Sequence, residues 1–279
     1  MSLPRVAPPR RTQSAVHPII VASGTSGGPN SACAAAVFTS HAVSDSRPVK
    51  TGSMPSRSPN APASARMLVA TPFRRQGLGR QLLGQCILDL AAQGLTPGLD
   101  ATAAGRELYR RYDFQDTWAI TRWRRERAAA APPDPAVEVR TATAADLDAI
   151  AALDRRAFGC ERRSVLARLL ERAPRIAALA LHDGEPCGFL LARDGREALQ
   201  LGPLVATDPA VPPALVAHAI ARIGDAAYLD SLDRHQDLRG WLATHGFAPQ
   251  RRFTRMLYRR DEPFGDARLA VAIAGPELG

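Results

Sequence analysis

The chain is nearly devoid of lysine and poor in aromatic residues. Lys50 is the only lysine among 36 basic residues, and aromatic side chains make up 5% of the 279 residues. No apolar run approaches the ~20 residues that a membrane-spanning helix needs, which argues against a membrane partner. The four cysteines, Cys33, Cys86, Cys160 and Cys187, form no close pair and follow no metal-ligand spacing. We therefore expect a cytoplasmic protein that binds no metal.

Acidic residues are scarce in the first quarter of the chain. Residues 1–66 hold seven basic residues and one acid, Asp45, so this head accounts for +6 of the formal net charge of +9. The remaining residues are nearly balanced at +3, which argues against a nucleic-acid surface on the folded part. A nucleic-acid binder that uses the basic head alone remains one alternative.

The same head also lacks the pattern of a folded domain. Proline, serine, glycine and alanine supply more than half of residues 1–66, and Phe38 is the only aromatic residue there. Such a segment buries too little apolar area to offset the entropy cost of ordering it, so we predict disorder. A GC-rich gene translated in a wrong reading frame would give an amino-acid sequence of similar composition, and this alternative stays open.

Residues 67–127 alternate between strand-like and helix-like segments, and an Ala/Pro-rich stretch at 128–136 then predicts a linker. The predicted order is a strand at Met67–Ala70, a helix at Leu78–Ala92, a short strand around Leu99, a helix at Gly105–Tyr112 and a strand at Trp118–Trp123.

Residues 137–279 predict a second unit of strands and helices. Thr143 followed by Asp146 is a helix-start signal. Three further strands, a helix and a last strand are predicted at 176–181, 188–192, 199–206, 214–223 and 253–258. The tail from Asp266 onward shows no interpretable pattern.

The two units repeat each other in order and spacing. The matching pieces are Leu68-Val69-Ala70-Thr71-Pro72 with Leu204-Val205-Ala206-Thr207-Asp208-Pro209, Leu99-Asp100-Ala101 with Leu229-Asp230-Ser231, and Phe114 with Thr121-Arg122 against Phe247 with Thr254-Arg255. We therefore predict an α/β (α+β) fold with two mixed-sheet units in tandem, preceded by the disordered head.

A glycine loop between the first predicted strand and helix has the composition of an anion pocket. It reads Arg74-Arg75-Gln76-Gly77-Leu78-Gly79-Arg80. Glycines let the backbone approach a phosphate, the helix N-terminus adds partial positive charge, and arginines add charge-assisted donors. The second unit has residues 210–214, Ala-Val-Pro-Pro-Ala, at the equivalent place, without glycine or cation.

These residues resemble the GNAT superfamily of acetyl-CoA-dependent N-acetyltransferases. The resemblance rests on Arg74-x-x-Gly77-x-Gly79 and on Glu107-Leu108-Tyr109-x-x-x-Asp113-Phe114, where the family usually has glycine in place of Asp113. It implies acetyl-CoA as co-substrate. The implied contacts to that co-substrate are Leu68, Val69, Ala70, Arg74, Arg75, Gln76, Gly77, Leu78, Gly79 and Arg80.

The resemblance also implies a reaction. The backbone N–H of Val69 or Ala70 would polarise the thioester carbonyl, and Tyr109 would donate a proton to the departing thiolate. The acceptor would be an amine of a small molecule or peptide. The sequence offers no residue that can be named as the general base. The second unit keeps Gly246 and Phe247 but has Leu242 in place of the tyrosine, so it is similar to a degenerate copy.

Several alternatives stay open. The first unit lacks a recognisable front half, which makes activity doubtful and allows a catalytically dead GNAT-like binding or scaffold protein. A second chain could cover the open face, so an oligomer is also allowed. Tyr109 could serve in packing alone, and we expect Asp100 to cap a turn and Trp118 and Trp123 to lie at the core and rim of a sheet.

Overall fold

The computed structural model describes residues 35–37, 76–92, 94–126, 137–195, 197–276 and 278. The helices of this part are α1 (Leu78–Ala92), α2 (Ala103–Arg110), α3 (Leu147–Phe158), α4 (Arg163–Arg172), α5 (Val211–Ile220) and α6 (Gln236–Thr244). The strands are β1 (Ala35–Val37), β2 (Thr96–Ala101), β3 (Phe114–Arg125), β4 (Glu138–Thr141), β5 (Ala178–His182), β6 (Glu185–Arg193), β7 (Leu199–Ala206), β8 (Ala227–Leu232), β9 (Phe247–Tyr258) and β10 (Ala270–Ile273).

All these strands belong to one mixed sheet, which is mainly antiparallel. Its order is β1-β2-β9-β3-β8-β10-β7-β6-β5-β4. The pairs β1–β2 and β7–β8 are parallel, and the other neighbours are antiparallel. The fold is therefore the mixed α/β class that the sequence predicts.

The centre of the sheet interleaves strands from two parts of the chain. We call residues 76–126 the first segment and residues 137–278 the second segment. β3 of the first segment lies between β8 and β9 of the second, and β9 lies between β2 and β3 of the first. Removal of either segment would therefore leave strands of the other without their partners.

The helices pack on both faces of this sheet. α3 and α4 bury their apolar residues on one face, with Ile120 and Phe253. α5 and α6 pack on the other face with Trp123, and α1 and α2 pack there with Met256. Met256 and Phe253 lie on opposite faces because successive strand residues point to alternate sides.

The start of α3 confirms the predicted helix-start signal. The backbone N–H of Thr143 donates to Asp146 Oδ2 at 2.7 Å, within a capping box that begins one turn before the helix. At the other end, Gly159 adopts a left-handed φ of 86° and ends the helix. A Cβ there would lie 2.3 Å from the backbone of Phe264, so glycine also permits a close chain crossing.

Strand β1 lies within the head that the sequence predicts to be disordered. Its three residues pair in parallel with β2, Ala35 opposite Thr96 and Val37 opposite Gly98. The edge of β2 offers backbone groups that a short apolar run can pair with, and the disorder of the head as a whole stays a prediction. The predicted strand at Met67–Ala70 lies outside the described residues.

Several predicted boundaries were too short or misplaced. β2 runs from Thr96 to Ala101, longer than the short strand predicted around Leu99, and β9 begins at Phe247 rather than Phe253. The uninterpreted tail contributes β10, whose small apolar residues are buried on both faces. Pairing with long neighbouring strands extends β9 beyond what its own arginine-rich stretch indicates. No helix in the described residues is long and apolar enough to cross a membrane.

His235 ties the tail to the sheet and gives a pH prediction. Its Nε2 lies 2.8 Å from the carbonyl oxygen of Ala270 and 3.2 Å from that of Ala267, so Nε2 carries the proton and donates. Burial lowers the pKa of His235 below its ordinary value. The unfolded chain therefore binds a proton more readily than the folded chain, and stability should fall as the pH drops below about 6.5.

We expect His235→Gln to lose less stability than the unaltered protein as the pH falls from 7.5 to 5.5. The difference in the free energy of unfolding should be at most about 1.4 kcal/mol for each pH unit below 6.5. Urea unfolding at several pH values measures it. The exposed His182, changed to Gln, is the control and should leave the pH profile unaltered. An unchanged profile in His235→Gln would contradict the role assigned to this ring.

Candidate active site

The predicted glycine loop leads directly into α1. Gly77 has a left-handed φ of 78°, a region that L side chains rarely adopt, and its carbonyl accepts the Gln81 N–H at 3.1 Å. A Cβ on Gly77 would meet no described residue within 4 Å, so the space in front of this backbone is open toward the described part of the chain. The first turn of α1 contains no acidic residue. A positive helix end with open backbone in front of it suits a phosphate.

α1 is held on the sheet by its apolar face. Leu83, Cys86 and Leu90 are buried, and Leu83 belongs to the same apolar cluster as Leu99 of β2. Gln76, Gly77 and Arg80 are exposed, while Leu78 and Gly79 are half-buried. The buried face therefore fixes the helix, and its N-terminus faces solvent. The other predicted contacts, Leu68, Val69, Ala70, Arg74 and Arg75, lie outside the described residues.

Tyr109 sits on α2, half-buried in that apolar cluster. Its ring meets Phe114 edge-on at 5.9 Å between centroids, and Phe114 meets Tyr258 of β9 in the same way at 5.6 Å. It also lies over Gly105, where a Cβ would be 3.2 Å from its ring. Burial raises the pKa of Tyr109, so its hydroxyl stays protonated at neutral pH and can act as a donor.

The turn between α2 and β3 explains the unusual aspartate before Phe114. Asp113 has a left-handed φ of 62°, and Gly246 has φ of 82° at the equivalent place before Phe247. Aspartate tolerates this region better than most residues. Its carboxylate accepts hydrogen bonds from Nε and Nη2 of Arg259 at 3.0 and 2.9 Å, so Arg259 supports the turn from the other segment.

Asp100 does not cap a turn, and that prediction is wrong. It lies within β2, and its carboxylate accepts two hydrogen bonds of 2.8 Å from Nε and Nη2 of Arg255 on β9. Both side chains are buried. Burial of the carboxylate demands a cation, and the only signal available in the sequence was the arginine in the repeated Thr-Arg pair. The cap of the next helix is Thr102, two residues after Asp100, and the Thr102 hydroxyl caps the start of α2.

A second buried pair mirrors the first. Arg122 of β3 donates through Nε and Nη2 to the two carboxylate oxygens of Asp230 on β8, at 2.7 and 2.8 Å. Asp100 and Asp230 occupy equivalent positions of the repeat, as do Arg255 and Arg122. Each aspartate therefore pairs with the arginine of the other segment.

The helix that follows β7 is closed to an anion at its N-terminus. Pro212 and Pro213, in the first turn of α5, have no backbone N–H. The carboxylate of Asp208 already accepts the Ala210 N–H at 2.8 Å. An acidic group thus stands where α1 presents open backbone.

An apolar recess lies on the sheet face opposite α1 and α2. The indole Nε1 of Trp118 is buried beside it and has no acceptor in the described part of the chain. Trp118 and Trp123 are both buried, so neither lies at a rim. The recess is lined by Gly98, Leu99, Thr117, Trp118, Phe158, Arg255, Leu257, Pro263 and Phe264. Within the described ranges, no three histidine, cysteine or acidic residues are placed to hold a metal ion.

Comparison with known proteins finds a likeness in one part of the chain. A family model described as the acetyltransferase (GNAT) domain matches residues 150–268. These residues, fewer than half of the chain, are similar to a GNAT acetyltransferase domain. This match covers the second segment from α3 to the tail, and not the glycine loop or Tyr109.

Relatives extend the likeness to more of the chain. An uncharacterized N-acetyltransferase, YitH, of Bacillus subtilis (strain 168) is 22% identical over 208 residues, which are 75% of this chain and 73% of the relative. That alignment is longer than residues 137–279, so it also includes part of the chain before them.

Solved structures share the fold. A putative acetyltransferase from Pyrococcus horikoshii matches with a TM-score of 0.60 and 20% identity, over 77% of this chain and 71% of that one. A GCN5-related N-acetyltransferase from Sphaerobacter thermophilus matches with a TM-score of 0.50 and 17% identity, over 68% and 70%. At these identities the likeness shows the GNAT-like fold.

Proposed function

We propose that the chain transfers an acetyl group from acetyl-CoA to an amine, and that the site lies in the first segment. The observation that carries this proposal is the start of α1, with left-handed Gly77, open backbone in front of it and no acid in the first turn. The equivalent start of α5 has two prolines and a carboxylate cap instead. The likeness of residues 150–268 to a GNAT domain supports the choice of acyl transfer.

We further propose that the chain consists of two GNAT-like units, 67–127 and 137–279, joined by a linker at 128–136. The pairing register supports this division. Asp100 lies opposite Arg255 as Asp230 lies opposite Arg122, and Phe114 lies opposite Tyr258 as Phe247 lies opposite Arg125. Two copies related by approximate twofold symmetry, with their last long strands exchanged, would give this register.

In the proposed mechanism the protein mainly positions its substrates. Backbone N–H groups from Gln76 to Gly79 would hold the diphosphate, with Arg74, Arg75 and Arg80 as neighbouring cations. The co-substrate supplies an activated thioester. Leu68, Val69 and Ala70 would lie along it, and a backbone N–H of Val69 or Ala70 would stabilise the negative charge that develops on the carbonyl oxygen.

Tyr109 would complete the transfer as general acid. The amine nitrogen bonds to the carbonyl carbon and releases one proton to solvent water, the carbon–sulfur bond breaks, and the sulfur takes the hydroxyl proton of Tyr109, which regains a proton from solvent. Its raised pKa keeps that proton available at neutral pH. The acceptor would be a small-molecule or peptide amine. The proposal includes no nucleic-acid or membrane partner. The cytoplasm would suit the thiols of Cys86, Cys160 and Cys187, which form no disulfide within the described part of the chain.

Thiol release from acetyl-CoA in the presence of a panel of amines tests the proposal. The panel should include polyamines, aminoglycosides, amino acids and peptide N-termini. Amine-dependent release of free coenzyme A is the expected result. Binding of coenzyme A without release for any amine would favour the alternative, a binding or scaffold protein that has lost the reaction.

Replacing Tyr109 with Phe should lower kcat by roughly 10-fold to 100-fold, because the leaving thiolate loses its proton donor. The affinity for coenzyme A should stay nearly the same, since the ring still packs against Phe114. Steady-state kinetics and calorimetric titration measure the two quantities. Tyr112→Phe, in the same half-buried cluster, is the control. If both variants keep full turnover, Tyr109 is a packing residue only.

A further inference from the structure

The parallel strands β7 and β8 separate along their length. Leu199 to Leu201 pair directly with Ala227 to Leu229. Towards the carboxyl ends of the two strands, β10 lies between them, with Ala270 opposite Val205 and Ala272 opposite Ser231. The crevice at the carboxyl ends of parallel strands is where open α/β sheets bind their ligands. Here the chain's own tail fills that crevice.

β10 is fitted to this place by a glycine. Gly202 of β7 has φ of 134°, and a Cβ there would lie 2.1 Å from the carbonyl oxygen of Ile273. Any other residue at this position would collide with the inserted strand. Val271, Ala272 and Ile273 are nearly fully buried, with Val271 and Ile273 in the apolar clusters on opposite faces of the sheet.

The tail is anchored on both sides of β10. Before the strand, the Asp266 N–H donates to Arg156 O at 3.1 Å, and His235 donates to the carbonyl oxygens described above. After the strand, Arg162 Nη1 donates to Leu278 O at 3.1 Å. Arg162 is itself buried and paired with Asp154. Contacts from three separate places in the chain therefore hold the tail against the sheet.

The neighbouring helix end lacks what a diphosphate would need. α5 follows β7 directly, and its first turn has Pro212, Pro213 and the Asp208 cap. The carboxylate of Asp208 would also repel an anion. The crevice and the helix end are therefore both closed, the first by the tail and the second by its own residues.

We infer that β10 is a permanent internal occupant of the crevice between β7 and β8, and that the chain takes up a single molecule of coenzyme A. The single site is the loop Gln76–Arg80; only this part of the inference rests on the proposed function. The second segment then acts as a scaffold, and it supplies β9 and Arg255 to the sheet beside the first segment's site.

Hydrogen exchange of the full-length chain, read by mass spectrometry, tests the occupant. We expect peptides covering 268–274 to exchange roughly 1,000-fold or more slowly than an unstructured peptide, as β7 does, with or without coenzyme A. Gly202→Ala should speed exchange in 268–274 by at least roughly 10-fold, because its Cβ collides with Ile273. Gly224→Ala, where a Cβ meets open space, is the matched control. Fast exchange of 268–274 in the unaltered protein overturns the inference even if the Gly202 variant does not fold.

Calorimetric titration with coenzyme A separates the inference from the proposed function. One molecule per chain, lost in Gly77→Glu, supports both. Two molecules per chain overturn the inference and leave the loop site intact. If Gly77→Glu still binds one molecule of coenzyme A, and that binding speeds hydrogen exchange in 268–274, both the inference and the proposed function are overturned. If coenzyme A does not bind at all, the proposed function fails, and exchange of the free protein alone decides whether β10 is a permanent occupant.

Discussion

Changing Gly77 to Glu should abolish the binding of coenzyme A, with a loss of affinity of roughly 100-fold or more. The new side chain would occupy the open space in front of the loop backbone and place a carboxylate against the diphosphate. Its φ of 78° adds strain of about 1–2 kcal/mol, but none of the described residues lies within 4 Å of the new Cβ, so the fold should persist. Calorimetry with coenzyme A measures the affinity, and thermal unfolding checks the fold.

The other end of the same helix offers a matched control. Gly94 has φ of 68°, and a Cβ there would also meet no described residue within 4 Å. Gly94→Glu therefore introduces the same charge and a similar backbone strain, but beyond the C-terminus of α1. We expect it to bind coenzyme A with nearly the original affinity. If both variants bind coenzyme A with the original affinity, the assigned pocket is refuted. If both lose affinity to the same extent, the cause is a general effect on α1.

Local signals in the sequence were sufficient for most helices and for the fold class. The capping residues Thr143 and Asp146 marked the start of α3 correctly, because a cap is formed by residues close in sequence. The apolar spacing of Leu83, Cys86 and Leu90 likewise gave α1 its buried face. These features depend on neighbours within one or two turns, so a single sequence contains them.

Long-range pairing was beyond such signals. The partner of Asp100 is Arg255, more than half the chain away, and nothing local to Asp100 distinguishes a strand carboxylate from a turn cap. The tail was uninterpretable for the same reason, since Ala-Val-Ala-Ile becomes a strand only when β7 and β8 leave a crevice for it. Gly202 was a visible sign of that crevice, but its meaning required knowing that Ile273 approaches it.

The candidate site was predicted unevenly. Gly77 adopts a left-handed backbone, which the sequence did not predict, and Tyr109 lies on a helix as expected. What the sequence could not reveal is the contribution of the second segment. Tyr258 packs against Phe114 and Arg259 supports Asp113, so residues from β9 and its end complete the surroundings of Tyr109. The place of β9 between β2 and β3 brings them there, and a repeat in the sequence does not reveal that strand order.

The interleaved strand order of the sheet also predicts how the protein unfolds. Replacing Arg122 with Met should lower the free energy of unfolding by about 3–5 kcal/mol, because Asp230 is fully buried and would lose its cation. The guanidinium also lies over the rings of Tyr228 and Phe253, at 4.9 and 5.5 Å from their centroids, and methionine restores only part of that packing. Since the interleaved strands still join the two segments, the variant should unfold in one transition, measured by urea denaturation with tryptophan fluorescence.

Two further variants separate a buried charge from an ordinary ion pair. Arg268→Met breaks a bidentate pair with Asp266 at the surface and should cost no more than about 1 kcal/mol. The double variant Arg122→Met with Asp230→Leu removes both buried charges, so it should be more stable than Arg122→Met alone. If Arg122→Met cost no more than the surface control, or if the two segments unfolded in separate transitions, the interleaved sheet would not be what joins them. The mirrored variant Arg255→Met should behave like Arg122→Met, because Asp100 is buried in the same way beside its own arginine.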